Sequence, residues 1–282
     1  MCCEGKRGFR GVRAAGVGGI AGTLAAAVFL VGCQGPGAMT NADHLDGGLI
    51  VVLPGIDGRT PHSESICRAL AARRPDMAVE LYDWTAPLGA IYNQVAVERN
   101  RSVAERLATR ILAYRKAHAD RPVTLVGHSG GTAIAVWAAE NLPADQPVDG
   151  IVLLASSLSP EYDLSRALSR SAGGIVSFYS DRDAALLGVG TSLVGTMDGR
   201  HCEAAGKVGF REGDYPCEAL VQIAWRPAMA ETGYDGGHLS CTAEEFVAKY
   251  VGPWVRAPLA SRGTVAAGPN RAPTPEVVSA DR

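Results

Sequence analysis

Aromatic residues supply only 6% of this 282-residue chain, too few for a platform of stacked rings that would hold nucleotide bases. Basic charge is not in surplus either. Lys and Arg total 27 against 29 Asp and Glu, a formal charge of -2, so the phosphate-neutralising footprint of a nucleic-acid binder is missing and nucleic acid is not an expected partner. No G-x-G-x-x-G joins a strand to a helix, and no P-loop or paired metal-ligand motif occurs. Nucleotide- or metal-dependent chemistry therefore has no sequence basis, and no cofactor and no metal are expected. There is no internal repeat, and no apolar run reaches the roughly 20 residues that span a bilayer as a helix. What the chain does have is 47% hydrophobic residues, 34 Gly and 16 Pro. That composition supports a sizeable core with many turns and excludes collagen-like, coiled-coil and wholly disordered classes.

The first 32 residues stand apart. Lys6, Arg7, Arg10 and Arg13 precede an uncharged stretch from Gly18 to Val31, which meets Leu30-Val31-Gly32-Cys33. This order resembles a bacterial lipoprotein signal, in which the cysteine receives a lipid and becomes the first mature residue. Cys33 is thus the expected lipidation site, and the mature protein is expected in the bacterial cell envelope, held at a membrane by that lipid and facing outside the cytoplasm. Removal of residues 1–32 leaves 250 residues with 23 basic and 28 acidic side chains, net -5. Cys67, Cys202, Cys217 and Cys241 then remain in an oxidising compartment. Cys202 with Cys217 closes the shortest loop, with buried free thiols as the alternative.

Residues 33–45 read as a polar linker, 46–256 as one domain, and 257–282 as a tail without periodicity. Leu49-Ile50-Val51-Val52-Leu53, closed by Pro54-Gly55, reads as a strand buried on both faces. Further strands are expected at 77–82, 123–126, 151–155, 175–179 and 219–224. Between them, Thr60-Pro61 opens a helix carrying Ile66, Ala69 and Leu70, and Val103, Leu107, Ile111 and Tyr114 recur at helical spacing. Residues 133–141 form a small-residue helix, and Thr242 with Glu245 forms a capping box for a last one. Repeated strand-helix alternation predicts an α/β fold, a mostly parallel sheet of about six strands with helices on both faces. The Gly-rich segment 188–213 reads as irregular.

Gly127-His128-Ser129-Gly130-Gly131 fits G-x-S-x-G, with a strand before it and a helix after it, the setting of a nucleophile elbow. Here the chain resembles the α/β-hydrolase superfamily over about residues 49–250, with little or no room for a cap. The resemblance implies the chain order serine, acid, histidine. Ser129 is then the nucleophile. Asp183, three residues past Ser180 at a strand end, is the implied acid, with Asp181 as competitor and Asp163 as a distant third. His238 follows Gly236-Gly237 between the last strand and the last helix. His201 is the alternative base, while His44, His62 and His118 read as solvated and His128 as a site-lining residue. The resemblance also implies an oxyanion hole from the backbone N–H of Gly130 and of Ile56, in a loop where Pro54 replaces the superfamily's His. Asp57 and Arg59 read either as substrate contacts or as loop braces. Trp84, Leu88, Ile91 and Tyr92 follow the second strand in an expected loop and read either as an acyl pocket or as ordinary core.

These residues imply a cofactor-free serine hydrolase acting on a small-molecule ester or acyl substrate. Amidase, peptidase, thioesterase and acyltransferase chemistry run on the same groups, and a non-catalytic envelope lipoprotein is the alternative of another class. Oligomeric state is not readable from the sequence.

Overall fold

A computed structural model describes residues 37–183, 195–211, 213 and 219–255. The signal segment 1–32, Cys33, Cys217 and the tail 257–282 lie outside the described residues. Six parallel strands form the sheet: β2 (Leu49–Leu53), β3 (Ala78–Tyr82), β4 (Val123–His128), β5 (Gly150–Leu154), β6 (Ile175–Tyr179) and β7 (Leu220–Ala224). A seventh, β1 (Gly37–Thr40), pairs antiparallel with the edge of β3, Gly37 lying opposite Tyr82 and Thr40 opposite Val79. The stretch expected as a linker thus contains a strand, followed by a 3-10 helix, Ala42–Gly47. The order across the sheet is β1-β3-β2-β4-β5-β6-β7. After β3 the chain crosses over β2 to enter at β4. That reversal makes the C-terminal ends of β2 and β4 the switch point of the sheet, the place where open α/β sheets bind ligands.

β2 is buried along its whole length, as a run of five β-branched or leucine residues requires when both faces are covered. Leu49, Val51 and Leu53 face one core with Leu107, Ile111, Ile134 and Trp137. These come from α3 (Val97–Ala117) and α4 (Gly130–Glu140). Ile50 and Val52 face the other core with Ile66 and Leu70 of α1 (Pro61–Arg73) and with Phe246 and Val251. Thr60 caps α1 as expected, its hydroxyl accepting from Ser63 N–H while Ser63 Oγ accepts from Thr60 N–H.

Two elements depart from expectation. Thr242 does not cap the last helix. Its hydroxyl donates to Leu239 O at 2.7 Å, and the helix starts after Ala243 as one α turn, Glu244–Phe246, that passes into a π turn, Val247–Val251. The residues between β3 and α3 are not all loop, because Ala90–Val95 forms a short helix, α2. The described part of the segment expected as irregular, 195–211, packs into the fold through buried Met197, Ala205 and Phe210 and carries one turn of helix, Ala205–Val208. No described helix is long and apolar enough to cross a membrane. Among the described residues Cys67, Cys202 and Cys241 are free thiols. Cys217, the expected partner of Cys202, is not among those residues.

Candidate active site

The turn from β4 into α4 is too tight for side chains at its glycines. A Cβ on Gly127 would stand 2.7 Å from Thr132 Cα, and one on Gly131 would overlap the carbonyl oxygens of Leu53 and Pro54. With its neighbours so confined, Ser129 is held at φ 52°, ψ -124°, a conformation that costs a non-glycine residue about 1–3 kcal/mol. Its N–H donates to Leu154 O at 2.9 Å, and its carbonyl accepts from Thr132 Oγ1 at 2.5 Å. Ser129 Oγ is left 2.8 Å from His238 Nε2 and 3.4 Å from Ser157 Oγ.

His238 reaches the elbow because its loop folds back over the turn after β6. Gly236, at φ 98°, sits so close to Ser180 and Arg182 that a Cβ there would be 2.9 Å from Ser180 Oγ. In that turn Asp183 N–H donates to Ser180 O at 3.0 Å. Both Asp183 carboxylate oxygens lie 3.0 Å from His238 Nδ1. Arg182 is drawn aside, its guanidinium 4.0 Å from the centre of the Trp225 ring. Asp181 is exposed, and Asp163 is tied to Ser165 N–H at 2.9 Å. Of the three candidate acids, the structure brings only Asp183 to the histidine.

His128 has a bracing position that its place in the motif does not reveal. It is buried, and its Nε2–H donates to His238 O at 3.1 Å, which fixes the neutral tautomer with the proton on Nε2. Burial first, and then the neighbouring His238 ring, draw its pKa down to about 3. Cys241 Sγ donates to the same carbonyl at 3.1 Å, and burial pushes its thiol up, away from thiolate chemistry. His118 pairs with Asp46 at 2.8 Å, and His201 is exposed.

The loop after β2 lies over the elbow, and its carbonyls are hydrogen-bonded. Pro54 O accepts from Trp84 Nε1 at 2.7 Å, Gly55 O from Gly58 N–H at 3.0 Å, and Ile56 O from Asn93 Nδ2 at 2.9 Å. Because a trans peptide sets N–H opposite C=O, the Gly55 carbonyl turned into that bend leaves the Ile56 N–H pointing the other way. Gly55 abuts the serine, since a Cβ on it would be 3.4 Å from Ser129 Cβ. Ile56 Cγ2 would stand 2.7 Å from a Cβ on Gly130, so the two backbone donors named from sequence flank the elbow. Arg59 is a brace, its N–H donating to Asp83 at 3.1 Å and its Nε to Glu64 at 2.7 Å. Trp84 is core, while Leu88, Ile91 and Tyr92 are exposed. Ser157, Asn93 and the bracing role of His128 were not identifiable from sequence, because each depends on a partner at least 28 residues away.

Ser129 on a strand-turn-helix elbow, followed in chain order by Asp183 and then His238 at the C-terminal edge of a parallel sheet, marks the architecture. The fold is that of the α/β-hydrolases. The family model of the T6SS Tle3 phospholipase effector domain matches residues 95–185, which include the elbow and Asp183. Among solved α/β-hydrolases, the chain is similar to Aspergillus fumigatus lipase B at 12% identity and TM-score 0.47, covering 77% of this chain and 55% of the lipase. It thus spans little more than half of that enzyme. It is also similar to the esterase domain of a Rhodothermus marinus protein, at 14% identity, TM-score 0.42 and coverage of 74% and 86%. Dienelactone hydrolase from Anabaena variabilis aligns at 19% identity, TM-score 0.43 and coverage of 74% and 85%. No curated protein matches the chain.

Proposed function

We propose that this chain is a serine hydrolase that cleaves carboxylic esters through an acyl-enzyme, tethered to the cell envelope by a lipid on Cys33. The observation that carries the reading is the continuous path from Ser129 Oγ to His238 Nε2 at 2.8 Å and from His238 Nδ1 to Asp183 at 3.0 Å. Ser129 attacks the acyl carbon while His238 Nε2 takes its proton and passes it to the leaving alkoxide. Asp183 accepts from Nδ1–H, holding the tautomer in which Nε2 is free to act as base, and stabilises the imidazolium. The negative charge that builds on the carbonyl oxygen falls to the N–H groups of Gly130 and Ile56, each such donor contributing roughly 2.7–4 kcal/mol in the transition state. Water, activated by the same histidine, then releases the acid. The phospholipase description of the family matched over residues 95–185 supports a lipid-like ester. A purely binding role leaves the strained Ser129 and its two partners without a purpose.

The test is a chain-length series of nitrophenyl esters with the matching anilides. Ester hydrolysis lowered by about 10³-fold or more in Ser129→Ala is expected. A Ser129→Ala rate within a few fold of the parent contradicts the mechanism, and faster cleavage of anilides than of esters moves the reading to an amidase.

A further inference from the structure

The α2 segment is amphipathic in the wrong sense for a surface helix in water. Its inward residues are the amides Asn93 and Gln94, both buried, bonded to Ile56 O at 2.9 Å and to Gly195 O at 2.9 Å. Outward stand Leu88, Ile91 and Val95, with 67%, 63% and 50% of their surfaces exposed, beside Tyr92. No charged residue interrupts residues 84–97. Scattered exposed apolar residues are ordinary, but four within eight residues on an uncharged segment mark a surface that is covered in use. The patch lies at the rim of the candidate site, since Asn93 holds the loop that lies over Ser129.

We propose that this face docks on a lipid bilayer, with its apolar side chains among the acyl chains and the mouth of the site turned to the membrane. The occupant follows from where the chain enters the fold. Gly37 pairs opposite Tyr82, two residues before Trp84 and at the end of β3 from which the α2 segment departs. Cys33 is four residues upstream of Gly37, within about 14 Å of chain reach, so a lipid on Cys33 keeps the bilayer within that reach of the end of β3 from which the α2 segment departs. The docking therefore rests on the reading of Cys33 as the lipidated residue, and it does not require that Ser129 be catalytic.

The experiment uses the full lipidated chain with vesicles of dibrominated phosphatidylcholine, whose bromines quench tryptophan inside the bilayer. A reporter is placed by Tyr92→Trp and read as a difference from the parent, with Ile91→Trp as the second reporter should the first fail to fold. The added emission is expected to shift to the blue and to be quenched, and Leu88→Ser in the same background is expected to reduce the quenching. Protein that binds these vesicles with the reporter unquenched, or that does not bind them, overturns the proposal. So does concentration-dependent dimerisation that Leu88→Ser abolishes, which assigns the face to a second copy. Hydrolysis is not read in this experiment, so loss of ester cleavage in an otherwise quenched protein contradicts only the enzymatic reading.

Discussion

His128 makes the stability of this domain depend on pH in a way that can be calculated. Its ring is neutral in the folded state, with a pKa drawn down to about 3 by burial and then by His238, whereas an unfolded histidine titrates near 6.5. Between these values the unfolded chain binds one more proton than the folded one, so stability falls as the pH falls. The contribution is fully present above about pH 6.5. It decreases by about 2 kcal/mol at pH 5 and by about 4 kcal/mol at pH 3, where the folded state also protonates. For a domain of this size 1 kcal/mol corresponds to roughly 2–4 °C, so the pH 5 loss is about 4–8 °C in Tm. The perturbation is His128→Asn, which keeps an amide donor near His238 O and removes the titrating ring. Calorimetric melts of parent and variant from pH 8 to pH 5 isolate the term, because the remaining groups titrate in both proteins. The parent is expected to lose about 4–8 °C more than the variant over this range. Parallel curves would refute the assignment of a buried neutral His128.

Two further substitutions test the site. Asp183→Asn is expected to lower kcat by roughly 10⁴-fold, since an amide at Nδ1 favours the wrong tautomer. Asp181→Asn, at an exposed position, is expected to leave the rate within about twofold, and steady-state kinetics on one soluble ester compare the two. Asn93→Ala unties Ile56 O and also strands the Ala86 N–H that donates to Asn93 Oδ1 at 2.8 Å, at a cost of about 1–3 kcal/mol in stability. If the loop supplies an oxyanion donor, kcat falls in this variant while KM changes little, and urea titration gives the stability cost separately.

The parts of this fold that can be read from sequence are those whose pattern is local. β2 is legible because five apolar residues in a row suit only a strand covered on both faces, and the elbow because glycines at 127 and 131 leave no room for a Cβ. β1 is not, since four residues at a sheet edge owe their strand to pairing with β3 rather than to any periodicity of their own. α2 was hidden for the opposite reason. Its apolar residues face outward and its amides inward, so apolar spacing gives no sign of the helix, and the choice between pocket and core for Leu88, Ile91 and Tyr92 resolves as neither. Thr242 carries the residue type of a cap, but its hydroxyl is taken by Leu239 O. Spacing from Ser180 favours Asp183 over Asp181, and the bend that returns Asp183 N–H to Ser180 O is what sets its carboxylate against His238.

The most direct measurement of the central claim is the reaction of the folded full chain with a fluorophosphonate, followed by intact mass and peptide mapping. One phosphonyl group on Ser129 is expected, with no adduct in Ser129→Ala and a strongly slowed one in His238→Ala. A parent protein that stays unlabelled under native conditions, or an adduct on a residue other than Ser129, contradicts the account.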